Sequence, residues 1–300
     1  MRPRAGGTRA SSALTIVIAV FLGSLFAHPP SAAAARAVCG VTNARTDEEV
    51  VGRGRNLQRA INDARTDDTL LVTGICIGTF VVETRIRLLG VRTARFPVPA
   101  LDARDRGRVL TTEAAVRIHG LTIRNGRAHQ GGGIRHSGGK LTLSGHALVA
   151  GNRASLGAGI YVNTGRAVLI DGAVVRRNVA DFGGGMWAQS NDGIVLKEMS
   201  VVRANRARDN GGGIFSNVSY IQMGGHASVR GNVAGTFGGG IADFDGFTKL
   251  RGRASIVGNT AGRKGGGYYS IFANLRVCSK HVVLSPNDPN DAPDRPVANC

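Results

Sequence analysis

Asp243 and Asp245 are the one pair of acids in the repeats of this 300-residue chain whose spacing could break a glycosidic bond. Residues 129–277 hold seven acids: Asp171, Asp181, Asp192, Glu198, Asp209, Asp243 and Asp245. Residues two apart on a strand face the same way and lie ~6.6 Å apart. Inverting hydrolysis needs its acid and base ~6.5–9.5 Å apart. A solvated acidic turn explains Asp243-Phe244-Asp245 equally well. Eliminative cleavage would add a hard cation held by clustered acids. The sequence has no such cluster, so no metal or other cofactor is expected. His119, His146 and His226 recur at one repeat position. Gly172 and Met199 interrupt that column, which makes it turn chemistry rather than a metal site.

Two further sets of residues could bind without reacting. Tyr161, Trp187 and Phe215 recur at one position and should form an outward, exposed ladder of rings. Stacked rings suit the apolar faces of sugars. The alternative is that they pack on one another or under a loop. Arg176, Arg203 and Arg230 recur at another outward position. Like charges stacked at the ~4.8 Å strand spacing repel unless an anion or acid compensates. An acidic glycan would do so; chloride, water or splaying apart is the competing account.

These sets are columns only because the chain repeats. Glycine triplets, or Gly-Ala-Gly, begin at 131, 157, 183, 211, 238 and 265, in steps of 26, 26, 28, 27 and 27 residues. Five or six residues before each stands Asn125, Asn152, Asn178, Asn205, Asn232 or Asn259. A fixed period in the twenties marks a solenoid. Apolar residues alternate at eleven and nine before the asparagine, recur three before it, and follow the glycines, giving three short strands per coil. The expected fold is an all-β, single-stranded, right-handed parallel β-helix, with handedness taken from the crossover rule. The asparagines should form an internal amide ladder. Ala154, Ala180, Ala207, Ala234 and Ala261, two residues on, should occupy a tight corner. Leu57, Ala60, Ile61 and Ala64 have helical spacing and should form a short N-terminal helix covering the first coil.

Residues 1–37 read as a signal peptide: Arg2, Arg4 and Arg9, an apolar run from Ala13 to Phe26, then Ala35-Arg36-Ala37 at the cleavage point. Residues 38–284 read as the β-helix, irregular to about 128 and regular after it. Residues 285–300 read as a cap. The chain is therefore expected to be secreted or held at the cell envelope, with no membrane span. Cys39, Cys76, Cys278 and Cys300 allow three pairings; Cys39–Cys76 and Cys278–Cys300, one at each end, are expected. Cleavage removes four of 38 bases and none of 20 acids, leaving 34 against 20, or +14. Such charge attracts anionic polymers, although genomic base composition also yields an arginine bias. With no basic helix or nucleic-acid motif, nucleic acid is not an expected partner.

The pattern Val-x-x-Asn-x-Ala followed by Gly-Gly-Gly-Ile resembles the repeats of polymorphic outer-membrane proteins and autotransporter passengers. It is also similar to secreted β-helix proteins of the pectin-lyase-like superfamily. The resemblance covers about residues 55–280, and no C-terminal membrane barrel follows. It implies the β-helix but no single activity, because that superfamily holds lyases, hydrolases, adhesins and inert passengers. The leading expectation is a non-catalytic protein with a glycan- or surface-binding face. The rivals are a divergent polysaccharide lyase or hydrolase, and a purely structural passenger.

Overall fold

A computed structural model describes residues 39–52, 55–189, 192–289, 292–293 and 298–299 of the chain. The signal peptide expected over 1–37 lies outside the described residues. The fold is an all-β, right-handed parallel β-solenoid of about 7 turns with one short helix. In the coil that starts at Met186 the strands are Met186–Ala188, Ile194–Leu196, Val201–Arg203 and Arg206–Ala207. Each pairs in parallel with its counterpart in the next coil, as in Met186↔Ile214, Ile194↔Ile221, Val201↔Ser228 and Arg206↔Val233. The coil thus has four faces, numbered here in that order. The fourth was not expected. Ala180, Ala207 and Ala234 end short strands and do not merely turn a corner.

The coil is closed around aliphatic side chains. Met186, Ile194, Leu196 and Val202 are all fully buried in one continuous core. At the junction of the third and fourth faces the asparagines turn inward. Asn178, Asn205 and Asn232 are 0%, 1% and 0% exposed. Each Nδ2 donates to the Oδ1 of the next coil, at 3.0 Å from Asn178 to Asn205 and 3.0 Å from Asn205 to Asn232. The same Oδ1 accepts the preceding asparagine's backbone N–H, and Nδ2 also donates to a carbonyl such as Val175 O. Glycine makes room for this ladder. A Cβ on Gly185 would lie 2.5 Å from Gly213 O and 2.9 Å from Asn205 Nδ2.

The ladder runs from Asn152 to Asn259 and not from Asn125. Asn125 is one residue early. Gly126 holds the ladder register and donates its N–H to Asn152 Oδ1, while the Asn125 amide turns to Asp102. At the other end Asn287 adds a rung, accepting from Asn259 Nδ2 at 3.1 Å.

Both ends are tied down. The helix Arg55–Asp63 buries Leu57 and Ile61. Its Gln58 completes the open edge of the strand Phe80–Val82: Oε1 accepts the Val81 N–H at 2.8 Å and Nε2 donates to Val81 O at 2.9 Å. The strand Cys39–Asn43 pairs antiparallel with both Glu49–Gly52 and Thr69–Ile77. Cys39 and Cys76 form a disulfide, which closes the N-terminal end. Cys278 is also disulfide-bonded; Cys300, its expected partner, lies outside the described residues.

Candidate binding surface

The structure does not assemble the expected carboxylate pair. The strand Ile241–Phe244 carries Asp243 into the coil interior, where it is 0% exposed. Its Oδ2 accepts from Thr248 Oγ1 at 2.7 Å and from the Tyr268 hydroxyl at 3.3 Å. Asp245 lies beyond the strand end, exposed, with φ of 56°. That left-handed residue breaks the alternation that would have set both acids on one face. Burial pushes the Asp243 carboxyl up to about 6, against hydrogen bonds from Thr248, Ser216 and Tyr268 that favour its charge. A carboxyl sealed inside the coil cannot reach a polymer outside it. Among the described residues no group of three His, Cys, Asp or Glu could hold a metal ion.

The aromatic column is in register, Tyr161↔Trp187↔Phe215, and lies on the side of its strands away from the aliphatic core. It is not an open ladder. Tyr161 is 1% and Phe215 7% exposed, and Trp187 is half-buried. Trp187 stacks on Phe215 with centroids 4.2 Å apart, and Phe215 stacks on Phe244 at 5.1 Å. Phe182, just before a glycine triplet, lies edge-on over both Trp187 and Phe215. The Tyr161 hydroxyl donates to Gln189 Oε1 at 2.6 Å and accepts from Gln130 Nε2 at 3.2 Å. The rings thus form a second, outer packing layer, and no flat sugar platform remains. Trp187→Ala should therefore lower stability by about 2 kcal/mol, less than the full cost of deleting a wholly buried ring. Chemical unfolding checks this; a melting curve identical to the parent's would show that the layer carries no packing energy.

The arginine column stands as a set of cations. Arg176, Arg203 and Arg230 are in register on the third face. Arg176 and Arg203 are half-buried and Arg230 is exposed. Further toward the N-terminus the same column holds Ala150 and then Arg124, which pairs with Asp102 at 2.9 Å. Among the described residues no ion pair reaches Arg176, Arg203 or Arg230. Burial, together with Arg176, Arg230 and Arg177, holds the Arg203 guanidinium below its ordinary pKa. Three stacked guanidiniums with no acid beside them form a rail of positive potential along the axis. A linear anion laid on it would relieve the mutual repulsion.

No protein-family model, curated protein or solved structure matches the chain. The fold and these columns are therefore what bear on its function. Among the described residues no helix is long and apolar enough to cross a membrane.

Proposed function

We propose that this is a non-catalytic β-solenoid of the pectin-lyase-like type, working outside the cell or at its envelope. Its third face would hold an acidic glycan. The observation that carries this reading is the in-register column of Arg176, Arg203 and Arg230 without an acid partner. A disulfide between Cys39 and Cys76 supports an oxidising compartment. The polysaccharide hydrolase reading loses its support with the separation of Asp243 from Asp245.

The test is retention of the mature protein on an immobilised carboxylated polysaccharide, eluted with a salt gradient. Arg203→Glu should elute at clearly lower salt than the parent. Arg59→Glu, an equal charge change on the exposed terminal helix, should elute later than Arg203→Glu. Screening at high salt should abolish the difference between the two. Equal shifts for both variants would mean that only net charge matters, as a purely structural passenger predicts.

A further inference from the structure

A groove of about 620 Å³ runs along the fourth face, across the residues that follow the asparagine ladder. One register column of its lining reads Arg127, Arg153, Val179, Arg206 and Val233 on five successive coils. At the strand spacing those coils span ~19 Å. Arg127, Arg153 and Arg206 are exposed, and none has an ion-pair partner among the described residues. On the far side of the alanines, Arg208 pairs with Asp181 at 3.2 Å. Ala180 and Ala207 are 5% and 1% exposed, so the floor there presents little side chain and an occupant can approach the backbone. The exposed apolar side chains of the lining are Val179 and Val233. One side of the groove is thus cationic on three of five coils and apolar, at Val179 and Val233, on the other two.

The lining chooses among linear polyanions. A peptide that binds by strand addition needs an unpaired strand edge, and the fourth-face strands already pair from coil to coil. A single nucleic-acid strand would seek rings to stack on, and no aromatic residue lines the groove. Polyphosphate has no apolar surface to set against the exposed Val179 and Val233. An acidic glycan has both parts: C–H faces for the methyl groups and one carboxylate or sulfate per charged sugar for the guanidiniums.

We infer that the fourth-face groove is a second binding site, which takes one extended acidic glycan chain lying along the solenoid axis. Its anionic groups would sit at Arg127, Arg153 and Arg206. This rests on the glycan-binding reading above and adds a site that does not involve the arginine column of the third face. Two such tracks on adjacent faces would let the protein hold a glycan matrix by more than one chain, with the gain that multivalency brings.

The experiment is calorimetric titration of the mature protein with a soluble uronic-acid oligosaccharide long enough to fill the groove. The same oligosaccharide with its carboxyls esterified, polyphosphate and single-stranded DNA are titrated beside it. Arg153→Glu/Arg206→Glu should weaken uronate binding about tenfold or more, and the esterified chain should not bind. Both arginines are exposed and unpaired, so the double variant should melt with the parent. Arg59→Glu, a charge reversal on the exposed helix away from both faces, should leave the oligosaccharide affinity within about twofold, whereas Arg203→Glu should remove the third-face share of the binding and lose retention on the immobilised polymer. An unchanged affinity in the double variant, with retention still lost in Arg203→Glu, would overturn the groove and leave the third-face reading intact. No binding of uronate in either format would overturn both. Tighter binding of DNA or polyphosphate than of uronate would overturn the glycan assignment.

Discussion

Asn205→Asp should destabilise the solenoid by about 5 kcal/mol at pH 7, within the range for burying a polar group without its partners. The change preserves shape and one acceptor oxygen but removes Nδ2. That nitrogen donates to Val175 O at 3.0 Å and to Asn232 Oδ1 at 3.0 Å. In the variant a carboxyl oxygen faces both of those oxygens in a site 1% exposed. The group must remain charged there or take up a proton that only part of the geometry can use. Asn205→Ala is milder, about 3 kcal/mol, because it orphans groups without adding a repulsion. It leaves the Asn178 N–H and Nδ2 without their acceptor. The control is Asn125→Ala, which removes a half-buried contact to Asp102 outside the ladder and should cost clearly less. Urea unfolding of the three variants at pH 7 gives the order. Asn205→Asp within about 1 kcal/mol of the parent would mean that the ladder is not a source of stability. Each coil rests only on its neighbours, so amide exchange should rise first in the coils around residue 205.

That ladder was legible in the sequence because a buried turn asparagine has few other reasons to recur with the coil. Its first rung was misplaced for a local reason. The spacing from asparagine to glycine is five or six residues, and Asn125 satisfies it. The alanine two residues on, present after Asn152 through Asn259, is absent after Asn125, where Arg127 stands. That missing alanine was the available signal, and Ala128 marks the true register with Ala154. The fourth face escaped notice because two-residue strands such as Val179–Ala180 are too short to show alternation. The groove on that face was therefore missed too.

The site residues divide along a different line. Strand alternation says whether a side chain points into the coil or out of it, and the aromatic column does point out. It says nothing about what lies over the outer side. Phe215 is covered because Phe182 and Phe244 lie against it, and neither is in the repeat position that defines the column, while Tyr161 meets Trp187, Gln130 and Gln189. Arg176, Arg203 and Arg230 needed only register, which the period supplies. Asp243 and Asp245 failed where a strand ends, since a left-handed residue at position 245 reverses the parity that a count of two assumes.

Asp243 carries the last expected result, and its sign is opposite to that of an ordinary salt-bridged carboxylate. Folding raises its pKa from 3.8 to about 6, chiefly through burial. The folded state therefore prefers the neutral acid, which donates or accepts within the group formed with Thr248 and Tyr268. Its contribution is fully present below about 3.8 and is lost as the pH rises through about 6. The shift of roughly two units corresponds to about 3 kcal/mol lost between those limits. Asp245, the nearest other acid to act on it, raises the pKa further when ionised. Asp243→Asn keeps the shape and cannot ionise, so it should be more stable than the parent at pH 7.5 by up to about 3 kcal/mol. The two should converge near pH 4. Unfolding measured across that window decides the matter: a variant less stable than the parent at pH 7.5 would show that the buried carboxylate is compensated and the raised pKa is wrong. Stabilisation would also show that Asp243 is held inside the coil at a standing cost, in a position from which it cannot touch a ligand on the outer faces.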